Sequence, residues 1–225
     1  MSTSENIVSV AGLREAERRT MLTVPEDTLM DRAATAVADA AQALAAERGL
    51  TVEGLRVCVV AGSGSNGGDA LLAGAQLARR GAEVVAVVAA DRVHERGMRA
   101  LEEAAGTGAV SGVDFPLGRE RVLDAQLVID GFAGIGGRPG LPDDAWSLLG
   151  RAVEAGLPIV AVDVPSGIAA DSAALPDAVD GGVPRHVVAD VTVTFTARKR
   201  CLVEPPAALA AGRVILADVG VALDP

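Results

Sequence analysis

Residues 57–69 read VCVVAGSGSNGGD: an apolar run of strand length, then a glycine-rich turn that opens onto helix-forming residues. Strand, glycine loop and helix in that order begin a parallel α/β sheet, and this stretch decides the fold class. The loop holds a literal G-x-G-x-x-G at Gly62, Gly64 and Gly67. Such glycines let backbone N–H groups approach an anion at a helix N-terminus, as in dinucleotide-binding folds. Asp91, after the next apolar run, stands where a ribose-binding acid would sit. Against that reading, Asp69 puts a carboxylate near the space of a pyrophosphate, a Coulomb cost in a low-dielectric site. Taken singly, Asp69 also reads as an acid stabilised by the helix dipole. The loop alone leaves both readings open.

The same alternation runs outward along the chain. Helical patterns open it at residues 10–21 and 25–49, the second started by Pro25, Glu26 and Asp27 and stopped by Gly49. Strand-length apolar runs follow at 55–62, 82–90, 125–132, 157–167, 188–195 and 212–220. Helical stretches fill 67–81, 94–106 and 143–156. This βαβα order predicts a mostly parallel sheet with helices on both faces and the first strand central. A length of 225 residues suits one such domain, residues 1–225, with two leading helices over 9–48 before the α/β sandwich.

Composition narrows the function. Half the residues are hydrophobic but only 2% aromatic, with no Tyr, so Ala, Val, Leu and Ile build the core. A formal charge of −10 excludes non-specific nucleic-acid binding, and the missing aromatics remove stacking platforms for single strands. No run reaches the ~18 apolar residues of a membrane span, and the first residues lack a signal core. A cytoplasmic location is the expectation. Cys58 and Cys201 are too few for a disulfide framework. His94 and His186 exclude a multi-histidine metal site, and both are expected to be solvated surface residues.

Polar residues gather where the strands end. Asp130 closes one apolar run; Asp163, with Ser166, closes another. Singly, each is read as a strand-end acid capping a turn; together they become candidates for proton transfer, cation binding or sugar contacts. Two loop-like stretches, 131–142 and 164–186, flank them. In an open parallel sheet the site lies outside the carboxyl ends of the strands, where these elements converge. Asn66, Asp130 and Ser166 offer oxygen ligands with little charge, which suits a hard monovalent cation better than zinc.

Four blocks then resemble a known family: SGSNGGDALLAGAQLARRG (63–81), VIDGFAGIGGRPG (128–140), VDVPSG (162–167) and ADVTVTFTARK (189–199). Their order and spacing are similar to those of NAD(P)H-hydrate epimerases, the YjeF N-terminal domain family, over nearly the whole chain. On this reading the G-x-G-x-x-G spacing is incidental to the family's substrate loop. The resemblance implies a Rossmann-like three-layer αβα sandwich and a homodimer. It implies an isomerase that interconverts the R and S forms of hydrated NADH and NADPH, working beside a dehydratase that repairs the S form. Carried over by motif, Ser65, Asn66, Gly67, Gly68 and Asp69 would line the substrate. So would Gly134, Ile135, Gly136, Gly137, Arg138, Pro139 and Gly140, with Asp163 contacting it. Asn66, Asp130 and Ser166 match the family's ligands for one potassium ion. Lys199 falls on the family's lysine, though alone it reads as a solvated surface residue.

Three departures accompany the match: Ser65 for Asn, Ala70 for Gly, and Asp31 for the usual Glu. Ser65 keeps hydrogen-bonding capacity, while Ala70 is expected to alter how closely substrate approaches. The substrate's C6 is a hemiaminal carbon, so loss of hydroxide to an iminium and re-addition of water inverts it without redox chemistry. Ring opening and reclosure would do the same. Either route needs a carboxyl group to move protons, with Asp163 the first choice and Asp69 the second. Two other classes stay open: an NAD-dependent oxidoreductase, for which no Tyr-x-x-x-Lys pair is found, and a non-catalytic Rossmann-like scaffold.

Overall fold

The computed structural model describes residues 7–111, 115–178 and 182–223. Two helices lead, α1 (Val10–Thr20) and α2 (Glu26–Glu47). Then come β1 (Arg56–Ala61), α3 (Ser65–Arg79), β2 (Glu83–Val88), α4 (Glu95–Ala105) and β3 (Val110–Ser111). Helix α5 (Phe115–Asp124), β4 (Leu127–Gly131), α6 (Asp143–Glu154) and β5 (Ile159–Val162) continue the alternation, and β6 (Val191–Phe195) and β7 (Arg213–Ala217) close it. The strands form one sheet in the order β3-β2-β1-β4-β5-β6-β7, every described pair parallel. The α/β sandwich read from the sequence is the observed fold. β1 is interior as expected, one strand from the middle, which β4 occupies.

Burial follows the period-two pleat even though the strands read as continuous apolar runs. Along β1, Val57, Val59 and Ala61 join a core with α2, α3 and α4 side chains, while Cys58 and Val60 join the opposite core under α6. Those two cores are the two interfaces of a three-layer sandwich. Ala-rich α2 and α3 lie close together because small side chains let their backbones approach. The crossover from β6 to β7 uses two short 3-10 turns, Arg200–Leu202 and Ala207–Ala210, instead of an α-helix. No helix of the described residues is long and apolar enough to cross a membrane.

The N-terminal helix is tied to the carboxyl ends of the strands. Ile7 forms a parallel bridge with Arg198, and the Val8 amide donates to the Arg198 carbonyl at 3.1 Å. The Val10 amide donates to Asp171 Oδ1 at 2.9 Å. These bonds carry α1 across the mouth of the crevice.

Candidate active site

Asp163 follows β5 directly and adopts φ 68°, a left-handed conformation rare for a residue with a side chain. Strain of this kind costs about 1–3 kcal/mol and persists where the surroundings over-determine it. Here they do. The Asp163 amide donates to the Val193 carbonyl at 2.7 Å, locking the turn onto β6. The Lys199 ammonium lies 2.5 Å from Asp163 Oδ1 and also donates to Thr194 Oγ1 at 2.7 Å and the Phe195 carbonyl at 3.0 Å. Thr194 Oγ1 lies 3.2 Å from the same Oδ1, and the Ile135 amide donates to Oδ2 at 3.3 Å. A tight turn at Thr196, also left-handed, folds the chain back so that Lys199 reaches beneath Asp163. Lys199 is only 1% exposed, so it is a buried ion-pair partner and not a solvated surface lysine.

Asp163 faces a cavity of about 450 Å³ shared with Ser65, Asn66, Asp69 and the loop Gly134–Gly137. Asp69 is the fifth residue of α3, past the first turn, which removes the simple helix-dipole reading. Its side chain is buried, and its Oδ1 has no hydrogen-bond partner among the described residues. Burial, then the negative charges of Asp163, Glu17 and Glu26, pushes its carboxyl well above the usual carboxylate range. One carboxyl thus carries a cationic partner while its neighbour is biased toward the protonated form. Such a division is how a site holds an acid and a base together.

Beneath the loop, Asp130 is fully buried. Ser166 serves both its oxygens, the amide donating to Oδ2 at 2.8 Å and the hydroxyl to Oδ1 at 2.6 Å, and the Phe132 amide donates to Oδ1 at 3.3 Å. Among the described residues no Lys or Arg pairs with Asp130, and burial raises its pKa from 3.8 to about 6 despite these bonds. The Ala133 amide donates to Ser166 Oγ at 2.9 Å, tying this group to the glycine loop. Asn66 reaches the same loop: a Cβ on Gly134 would lie 2.7 Å from Asn66 Oδ1 and 3.2 Å from Asp163 Oδ2. The Asn66 Nδ2 is buried without a partner among the described residues.

Several residues expected to touch substrate do not line the cavity. Gly67 and Gly68 are buried in α3; a Cβ on Gly67 would meet the Gly62 carbonyl at 2.1 Å, and one on Gly68 would meet Met30 and His94. Their role is to let the helix pack closely. Arg138 and Pro139 are exposed and lead away, while the Gly140 amide donates to the Gly167 carbonyl at 2.9 Å. Asp130 and Ser166, expected as cation ligands and not as substrate contacts, lie under the cavity and outside its lining. Ala70 is fully buried and packs its methyl toward Gly131, outside the cavity lining. Asp31 pairs with Arg96 at 2.5 Å, joining α2 to α4 at the surface. Both histidines are half-buried rather than solvated: His94 caps α4 by accepting from the Gly97 amide at 3.3 Å, and burial lowers the His186 pKa.

The lining also contains Gly64, the middle glycine of the G-x-G-x-x-G, and residues the sequence did not single out: Phe132, Ala133, Phe195, and from α1 Arg14 and Glu17. Arg14 and Glu17 are three residues apart, one face of a helix. Burial and then the Asp163 charge raise the Glu17 pKa, with Lys199 and Arg14 opposing. A polar pair on an amphipathic helix reads as solvated, so no sequence signal places it here.

A family model described as YjeF-related protein N-terminus matches residues 26–201. The chain belongs to that family. Within the YjeF-related proteins it is similar to the NAD(P)H-hydrate epimerase of Clavibacter michiganensis subsp. michiganensis, 39% identical over 204 residues, covering 87% of this chain and 83% of that protein. It is also similar to the bifunctional NAD(P)H-hydrate repair enzyme Nnr of Corynebacterium glutamicum, 39% identical over 233 residues. That match covers 96% of this chain but 39% of the relative, so the chain spans about two-fifths of the bifunctional protein. The crystal structure of yeast ynu0 shares the fold, with a TM-score of 0.72 at 24% identity, covering 87% of this chain and 82% of the yeast chain. Because the family match begins at residue 26, α1 with Arg14 and Glu17 lies outside it.

Proposed function

We propose that this YjeF-related domain is an NAD(P)H-hydrate epimerase, an isomerase that interconverts the R and S forms of hydrated NADH and NADPH. The observation that carries the reading is the unequal pair of carboxyls in one cavity, Asp163 paired with Lys199 and Asp69 with no hydrogen-bond partner on Oδ1 among the described residues. In the forward direction Asp69 gives its proton to the C6 hydroxyl. The C–O bond breaks, water leaves, and the ring-nitrogen lone pair completes an iminium. Water then adds to the other face and gives its surplus proton to Asp163, which restores the hydroxyl with inverted configuration. The proton returns from Asp163 to Asp69 through solvent, and the reverse reaction exchanges the roles. The same pair can serve ring opening and reclosure, which also requires one proton donated and one accepted. No redox partner is needed, which separates this reading from an oxidoreductase.

The experiment supplies a mixture of both epimers of hydrated NADPH to an S-specific dehydratase. Without this chain the R form should persist; with it, both forms should be consumed. Persistence of the R form in the presence of folded protein would overturn the assignment. A dehydratase, separate or joined in one polypeptide, and a homodimer complete the proposed setting.

A potassium ion is part of the proposal, held by Asn66, Asp130 and Ser166. The fit rests on a buried carboxylate with no cationic partner and on the orphaned Asn66 amide, whose oxygen and nitrogen can be interchanged by a flip. Bound there, the ion supplies a fixed positive charge beneath the glycine loop. Its effect on stability depends on pH with a defined sign. Without the ion, the raised Asp130 pKa favours the folded state below pH 3.8, and that contribution, roughly 3 kcal/mol, is lost as pH rises through about 6. Potassium competes with that proton. It should therefore raise the melting temperature at pH 7.5 and lose its effect below about pH 6, read by thermal melts in potassium against an organic cation. Asp130→Asn should weaken activity through cation affinity and be partly rescued by more potassium.

A further inference from the structure

A second cavity, about 460 Å³, lies on the other side of the loop between β1 and α3: Ser63 lines it, whereas Gly64 lines the first. Its remaining walls include Ala89, Ala90, Asp91 and Arg92 after β2, and Asp144 at the start of α6. The two cavities straddle the point where the strand order reverses, with β2 and β3 on one side of β1 and β4 to β7 on the other. Ligands of open α/β sheets bind at such a switch point.

The glycines between the cavities divide three tasks. A Cβ on Gly62 would meet the Phe132 carbonyl at 2.0 Å, so the backbone after β4 passes too close for any side chain. One on Gly67 would meet the Gly62 carbonyl at 2.1 Å, so the helix can pack against the strand only there. One on Gly64 would meet nothing within 4 Å, so bare backbone faces open space between the cavities. Close packing and open approach are what a dinucleotide cradle demands of its third and second glycines. The G-x-G-x-x-G spacing, which the sequence alone left as incidental, has a structural basis. The first-turn amides of α3 lack intrahelical acceptors and a side-chain cap, leaving donors for an anion beside Gly64.

On the epimerase reading the substrate is a dinucleotide, and its hydrated nicotinamide belongs with Asp163 and Asp69 in the first cavity. We propose that the second cavity takes the adenosine half, with the pyrophosphate crossing over Gly64 and Asp91 receiving the hydroxyls of the adenosine ribose. A carboxylate is an acceptor-only group suited to a vicinal diol. The charges facing this cavity decide between the two forms of the cofactor. Asp91 and Asp144 are both exposed acids, and Arg92 offsets only one of them. A 2′-phosphate would therefore meet a net negative wall, whereas a free 2′-hydroxyl donates to Asp91. The subsite selects hydrated NADH over hydrated NADPH.

The test compares kcat/KM for hydrated NADH and hydrated NADPH in the natural protein and in Asp91→Asn, together with inhibition by ADP-ribose and by 2′-phospho-ADP-ribose. Because these charges are exposed, the expected preference for hydrated NADH is about fivefold, and Asp91→Asn should abolish it. ADP-ribose should inhibit more tightly than its phosphorylated form by a similar factor. Equal use of both substrates, or a ratio untouched by Asp91→Asn, would overturn the subsite while leaving the epimerase reading in place. If neither substrate is epimerised, the reaction assignment falls, and direct titration with ADP-ribose still decides the subsite. Binding that weakens on Asp91→Asn keeps it, and no binding removes it.

Discussion

Asp163→Asn is expected to lower epimerisation by about 10²–10⁴-fold, the usual contribution of a positioned proton-transfer group. The amide preserves the shape of the side chain, and its oxygen can still accept from Lys199 Nζ and the hydroxyl of Thr194, which now hold Oδ1. It removes the carboxylate that accepts the proton from the adding water. The exchange also carries a cost to stability. Lys199 is left buried beside a neutral group, so the variant should also melt at a lower temperature. Rates are therefore to be compared well below that melting point, with circular dichroism confirming folded protein. Near-normal turnover under those conditions would transfer the assignment to Asp69.

Most of the fold could be read from the chain because its strands are long apolar runs punctuated by glycine. The exceptions have physical causes. β3 pairs through two residues, Val110 and Ser111, at the sheet edge, too short for any period to register. Helix α5 contains Pro116 and Gly118, which weaken a helical pattern, so its ten residues carry no clear helical period beside β4. The site divided differently. Asp130 with Ser166, and Asp163 with the glycine loop, were legible because strand ends of a parallel sheet must converge. Arg14, Glu17 and the burial of Lys199 were not, since each depends on where a turn or an N-terminal helix folds back. For Lys199 the left-handed turn at Thr196 decides it, and no local pattern announces a left-handed threonine.

The largest effect on stability is expected from Lys199. Its ammonium has three donors and three acceptors within reach, Asp163 Oδ1, Thr194 Oγ1 and the Phe195 carbonyl, inside a region almost closed to water. Lys199→Met keeps most of the aliphatic stem, so the packing against its neighbours changes little. What it removes is the countercharge of a nearly buried carboxylate. Breaking such a pair from one side costs about 3–5 kcal/mol, because the remaining charge has been desolvated without compensation. In a chain of this size that corresponds to a fall in melting temperature of roughly 10 °C. Activity should fall as well, since Asp163 loses the contact that fixes its left-handed geometry toward the cavity. The double variant Lys199→Met with Asp163→Asn separates the two effects. With neither charge present there is nothing left unpaired, so most of the lost stability should return while epimerisation stays as low as in Asp163→Asn alone. If the two losses of stability simply add in the double variant, the ion pair is not what holds this corner of the site, and the network through Thr194 and Ile135 must position Asp163 without it.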